Sequence, residues 1–311
     1  LKLTVTLSPH LIRIRLGKLA AHIVVALVAL VVIGGATRVM EAGLACPDWP
    51  LCYGSLFPKG QMNVKVFLEW FHRLDAFFVE IAISLQMLFS WIYKSSLPRW
   101  FLFGNGLILL LVTLQASLGA LTVINLLPSN VVMSHLLLGL ILVALMSGLA
   151  QRLLSPGGIE PPLWWKLLSA VSLLSVFSQS LIGSRMATTW SVQRCISNGI
   201  NCQWLDLHRL SAVPVVFFAV TLFLIAISLG GWFRSQWPFL LFILTLIIFQ
   251  ILVGVFSAHL HLNEPSLRVL HQLLASLLVA CLSALCCRKQ TLFSVDRSQK
   301  LLANSLEVCH G

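Results

Sequence analysis

Two short stretches carry the same reactive side chains at the same kind of boundary. Glu69-Trp70-Phe71-His72-Arg73 ends a polar, cysteine-bearing segment and opens a long apolar one, and Leu205-Asp206-Leu207-His208-Arg209 does so again in the second half. Two further histidines, His135 and His271, hold matching places in later apolar segments. His208 follows His72 by 136 residues, and His271 follows His135 by the same 136. Neutral imidazole facing the interior of an apolar bundle is a metal ligand. Side chains from facing helices are how four-helix bundles build cofactor sites. Porphyrin iron held axially by two histidines suits such surroundings best. For a single histidine, a hydrogen bond to a neighbouring helix is an equal alternative; four at repeat-related positions favour ligation. Five arginines at span ends, Arg38, Arg73, Arg185, Arg209 and Arg268, are suited to propionates at the membrane surface. His259 and His261 read as loop residues, and His10, His22 and His310 as structural or incidental.

The elements that must position these groups follow from composition. The 311 residues are 58% hydrophobic and 10% charged, with mean hydropathy +0.93. Soluble domains carry roughly 25% charged residues, so the chain is expected to be an all-α integral membrane protein. Spans of ~20 apolar residues fall at 19–38, 68–92, 100–124, 131–150, 165–185, 207–229, 237–260 and 267–287. Lipid requires each to satisfy its own backbone, hence helices. The basic balance, +11 at neutral pH, reflects Lys and Arg in short loops and argues against nucleic acid as a partner. Alternating loops place 13 of the 21 Lys and Arg residues on the side of the N-terminus and 8 opposite, which predicts both termini in the cytoplasm. Lys2, Arg13, Arg15 and Lys18 read as a basic cytoplasmic arm, with no cleavable signal peptide evident.

Phe71-His72-Arg73-Leu74 matches Leu207-His208-Arg209-Leu210, Gln115 to Gly119 matches Gln250 to Gly254, and Ser134-His135-Leu136 matches Leu270-His271-Gln272. Spans 1–4 and 5–8 therefore read as two pseudo-symmetric four-helix bundles, residues 1–150 and 165–311, joined by a cytoplasmic linker at 151–164. An even number of spans per copy makes the repeat parallel. The copies differ in their acids: Glu69, Asp75 and Glu80 correspond to Leu205, Ser211 and Val216. Glu69 shares a helix face with His72, and a carboxylate within a membrane is a functional candidate. An exposed Glu69 at a helix N-terminus is the plainer alternative, and Asp75 is expected to pair with an arginine. Cys46 and Cys52, and Cys195 and Cys202, lie in loops on the oxidising side and read as two disulfides, with free thiols or a metal site as alternatives. Cys281, Cys286, Cys287 and Cys309 read as reduced. The four aspartates, Asp48, Asp75, Asp206 and Asp296, form no cluster for magnesium diphosphate, which argues against a prenyltransferase.

At these residues the sequence resembles the haem A synthase family. The resemblance covers nearly the whole chain and rests on Gly34-Gly35-Ala36-Thr37-Arg38, the Cys46/Cys52 loop, Glu69 with His72 and Arg73, His135, the Cys195/Cys202 loop, His208-Arg209 and His271. It implies haem b held by His208 and His271, substrate haem O received near His72 and His135, and Glu69 in the reaction. The implied activity oxidises the C8 methyl of haem O to a formyl group, giving haem A for terminal oxidases. Implied partners are haem O, the lipid bilayer, the farnesyltransferase that makes haem O and an electron donor; homo-oligomerisation stays open. The expected location is a bacterial plasma membrane with the haem sites near its outer face. The competing readings are a non-catalytic bis-histidine cytochrome b and a haem transporter or chaperone.

Overall fold

A computed structural model describes residues 8–155, 157–189 and 202–290. Lys2, Pro156, Arg194, Cys195, Asp296, Cys309 and His310 lie outside the described residues. Eight helices are long and apolar enough to cross a membrane: α1 Pro9–Val39, α2 Val64–Ile92, α3 Arg99–Ile124, α4 Ser129–Leu154, α5 Leu163–Thr188, α6 Gln203–Leu229, α7 Trp237–His259 and α8 Pro265–Cys287. The chain is an all-α integral membrane protein, and no strand occurs among the described residues.

The helix ends carry their own stop and start signals. The Ser8 side chain accepts from the Leu11 N–H at 3.3 Å, and Pro9 occupies the first turn, the residue pair that favours an N-terminus. α1 therefore begins ten residues before the apolar run itself. Its added turns are anchored by Arg13, which donates from Nε to the Leu153 carbonyl at 3.3 Å and from Nη2 to the Arg152 carbonyl at 3.2 Å. These are carbonyls of the last turn of α4, left without helical partners. Asn63 caps α2, its Oδ1 accepting from the Lys65 and Val66 N–H groups at 3.0 and 3.1 Å.

Helices α1–α4 pack in a ring, α1 on α2, α2 on α3, α3 on α4 and α4 on α1; α5–α8 pack in the same cyclic order. α8 also lies against α1 and α4, and α4 against α5. The α4–α8 seam is built from small residues. Ser147 donates to the Ala280 carbonyl at 2.7 Å, and Ser283 donates to the Ala144 carbonyl. A Cβ on Gly148 would come within 2.8 Å of Cys287 Sγ. Small side chains let membrane helices approach closely, and Ser hydroxyls tie one backbone to the next. The linker is shorter than expected, because helix runs on to Leu154 and resumes at Leu163. Ile159 exchanges two backbone hydrogen bonds of 2.9 Å with Gln290. Glu160 pairs with Arg152, with Lys166 at 2.7 Å and with Lys289 at 3.6 Å.

Candidate functional site

The four histidines sit in the first turns of α2, α4, α6 and α8, all at the end of the bundle opposite the 155–162 linker. Each is seated against a glycine of the preceding long helix. A Cβ at Gly34 would lie 2.8 Å from His72 Cε1, one at Gly119 3.2 Å from His135 Cε1, one at Gly183 3.0 Å from His208 Cε1, and one at Gly254 3.1 Å from His271 Cε1. At these separations any side chain would have to displace the imidazole. The glycines are there for space, and each leaves its ring a socket.

The sockets share a second feature. Four residues before Gly119 is Gln115, whose Nε2 donates to the His135 carbonyl at 2.9 Å and lies 3.4 Å from His135 Nε2. Four residues before Gly183 is Gln179, which donates to the His208 carbonyl at 2.9 Å and lies 3.3 Å from His208 Nε2. Gln250 holds the same place before Gly254. At the first socket that place is Leu30. Ser211 adds a hydroxyl that donates to Gln179 Oε1.

His208 and His271 face each other with ring centroids 6.3 Å apart and planes at 56°. Two metal–nitrogen bonds of ~2 Å and the half-widths of two rings account for that separation. His135 is near enough to His72 to act on it electrostatically. In all four rings Nδ1 is buried without a hydrogen-bond partner, although buried polar atoms are almost always satisfied. Among the described residues no three His, Cys, Asp or Glu side chains gather around one point as metal ligands. Two facing imidazoles with unused nitrogens therefore fit a metal that brings its other donors with it, as porphyrin iron does.

The first socket is covered by the Cys46–Cys52 loop, closed by a disulfide with its Cα atoms 4.8 Å apart. The Asp48 carboxylate accepts from the Tyr53 and Gly54 N–H groups at 2.6 and 2.8 Å. These bonds, Gly54's foremost, hold its pKa below the ordinary aspartate value. Glu69 is 3% exposed, which excludes the exposed helix-start alternative. Its Oε2 accepts from the Cys46 N–H at 2.8 Å, and its Oε1 pairs with Arg73 Nη2. Arg73 Nη1 donates to the Asp48 and Leu51 carbonyls, both at 2.6 Å. The loop and the carboxylate are thus one unit, tied to α2 by Arg73.

The other arginines differ in their engagement. Arg209 pairs with Asp206 at 3.6 Å. Arg185 donates to Asn130 Oδ1 at 3.3 Å and lies over the Trp204 ring. Arg38 lies within electrostatic reach of Arg268 across the α1–α8 contact, and Arg268 within that of Glu41, yet neither arginine makes a hydrogen bond or ion pair among the described residues. Arg268 Nε is buried and unpartnered. Asp75 departs from expectation: no arginine pairs with it, and its Oδ2 is enclosed without a partner. Cys195 is outside the described residues, so the second cysteine pair is not described. Cys281, Cys286 and Cys287 are free thiols.

The profile of the cytochrome oxidase assembly protein family matches residues 18–283, a stretch that contains all four sockets. The chain belongs to this family. Three curated relatives are named haem A synthases. That of Shewanella oneidensis is 30% identical over 57% of this chain and 58% of its own. That of Bradyrhizobium diazoefficiens is 30% identical over 53% and 55%, and that of Bacillus pumilus 34% identical over 40% of each. The chain spans about half the length of the curated relatives it matches.

In this family member, sequence reasoning found the histidines and missed what seats them. Gly119, Gly183, Gly254, Gln115 and Gln179 were not singled out as site residues. The signal was present as Gln-x3-Gly in three odd-numbered helices, each 20 to 29 residues before a histidine (Gln115 to His135, Gln179 to His208, Gln250 to His271).

Proposed function

We propose that the chain is a haem A synthase that oxidises the C8 methyl of haem O to a formyl group. The observation that carries this reading is the difference between two otherwise matching histidine pairs. Both have glycine sockets and unused ring nitrogens. Only the first has enclosed carboxylate oxygens: Glu69 is buried under a disulfide-closed loop and Asp75 Oδ2 is enclosed without a partner, whereas Asp206 beside the second pair is exposed and paired with Arg209.

On this reading His208 and His271 would hold haem b, and His72 and His135 would receive haem O. Haem b supplies a centre for electron transfer. Glu69 is the catalytic group, a carboxylate able to take up protons or to balance positive charge developing at the substrate methyl. The disulfide loop excludes water from it, and Arg73 fixes its orientation. Arg38 and Arg268, unpaired in the α1–α8 contact, bind propionates, with Arg185 and Arg209 at the rim of the second pair. Arg73, its terminal nitrogens on the loop and Glu69, serves the carboxylate instead. The histidine end of the bundle faces outward and both termini face the cytoplasm, the orientation that the Lys and Arg distribution favours. Haem O arrives from a farnesyltransferase, and electrons from a separate donor.

The test is chromatography of haems extracted from the purified protein, expressed with and without a supply of haem O. Haem b alone without supply, and haem A or its hydroxylated precursor with it, is the expected result. Haem b alone under both conditions, in folded protein, would replace the synthase with an electron-carrying cytochrome.

A further inference from the structure

Glu80 lies on α2 eleven residues beyond Glu69, three turns along nearly the same helix face. Near the helix start that face is closed by the disulfide loop, through Glu69 to Cys46 and Arg73 to Asp48 and Leu51. Three turns deeper it borders a cavity of about 480 Å³ lined by Phe77, Glu80, Ile81, Ser84, Leu85 and Leu88. That volume is within the ~300–1,000 Å³ of ligand clefts. The cavity opens on the lipid side of the helix, since Ile81 stands half a turn from the direction of His72. Phe77, Leu85 and Leu88 are exposed there. No hydrogen bond or ion pair engages Glu80 among the described residues. A carboxylate in a bilayer without a partner is costly, so an occupant that donates to it gains on both counts.

The chemistry described is that of a long apolar molecule carrying one hydroxyl. The second histidine pair has no equivalent: the residues 136 positions on from Phe77, Glu80 and Ser84 are Val213, Val216 and Val220. On the function proposed above, the two pairs take haems that differ in one substituent at this point. Haem O bears a hydroxylated farnesyl chain, and haem b a vinyl group.

We infer that the α2 groove binds the isoprenoid chain of the substrate, with Glu80 accepting a hydrogen bond from its hydroxyl, and so selects haem O over haem b at the first pair. The inference rests on the proposed function. Glu80 is about 12 Å along the helix from His72, and helical side chains point back toward the N-terminus. Glu80 stands about a quarter of a turn round the helix from the direction of His72, so its carboxylate lies between a porphyrin edge held at His72 and the lipid-facing groove. Ser84 leaves the space beneath it for the chain, and the aliphatic lining covers the isoprene units.

The experiment titrates the full-length purified protein, carrying its resident haem, with haem O and separately with haem B, and follows the absorption of the added haem. Wild type is expected to bind haem O more tightly. Glu80→Val, which copies the second pair, should cut that preference about tenfold or more, the worth of a hydrogen bond to a charged group. Ser84→Phe should cut it by filling the groove. Both should keep the affinity for haem B and the resident haem spectrum, which shows that they fold. An unchanged preference in both variants would overturn the inference, as would an equal loss of affinity for both haems. Unchanged preference with slower reduction by a prenylquinol would overturn it in favour of a quinol in the same groove. Wild type that neither prefers nor converts haem O fails the proposed function itself; conversion without preference fails only the groove.

Discussion

Glu69 Oε2 accepts the backbone N–H of Cys46 at 2.8 Å, so the carboxylate of the first histidine pair is held by the disulfide loop that covers it. Its other oxygen is in an ion pair with Arg73. Glu69→Gln keeps an acceptor for Cys46 and removes the charge. It should stop conversion of haem O while leaving the haem b spectrum intact; wild-type turnover in this variant would remove Glu69 from the reaction. Glu69→Ala strands the Arg73 charge and should also destabilise the protein by about 3–5 kcal/mol, read as a fall in melting temperature.

The glycine sockets give a test that separates the two pairs. Gly183→Ala and Gly254→Ala place a Cβ 3.0 and 3.1 Å from the rings of His208 and His271. Each should shift or broaden the low-spin haem b bands. Gly34→Ala, at 2.8 Å from His72, should leave those bands alone and weaken haem O binding. Unchanged bands in both Gly183→Ala and Gly254→Ala would mean that His208 and His271 do not hold the haem iron.

His208→Ala or His271→Ala should abolish the low-spin haem b spectrum, because one axial ligand cannot give that state. His72→Ala and His135→Ala should retain haem b and lose conversion of haem O. Haem content by extraction and turnover by chromatography distinguish the two classes. A full haem b complement in the first two would refute the assignment.

The Cys46–Cys52 disulfide closes a short loop and is expected to contribute about 2 kcal/mol through the unfolded chain. Cys46→Ser with Cys52→Ser should lower the melting temperature and reduce turnover, since the Glu69 anchor moves with the loop. Retained turnover at a lowered melting temperature would limit the bond to a structural role.

Glu160 is held at a pKa of about 2, chiefly by its hydrogen bond to Arg152 and then by Lys166. Its folded value lies below that of a free glutamate, ~4.3. Its contribution is therefore complete above the free value and is lost as pH falls through the folded one. The side chain is nearly half exposed, so the network contributes no more than about 1 kcal/mol. Glu160→Gln should melt slightly below wild type at pH 7, and the difference should vanish near pH 2.

The eight spans were readable because lipid sets their length, and the histidine pairs because an internal repeat fixed their spacing. The start of α1 was not readable from hydropathy. Ser8 and Pro9 set it, and Arg13 holds it to the end of α4. The burial of Glu69 was equally hidden. Its neighbours in sequence suggest a helix start facing water, whereas its partner Cys46 lies 23 residues away. Asp75 has one arginine close in sequence, Arg73, and none in contact, since residues two apart on a helix do not face each other. The sockets were hidden for another reason: a glycine is informative only once the ring that needs its space is known.

Gly34 and Gly35 are consecutive, yet they serve different neighbours. A Cβ on Gly34 would strike His72, while one on Gly35 would come within 3.1 Å of Gln272, the residue next to His271. Two adjacent missing side chains thus make α1 a party wall between the two pairs. Cutting the chain at 155–162 would give one fragment whose α1 lacks its α8 and another whose α8 lacks its α1. The fragments would have to be co-expressed to rebuild either chamber, although each would carry a complete pair of histidines.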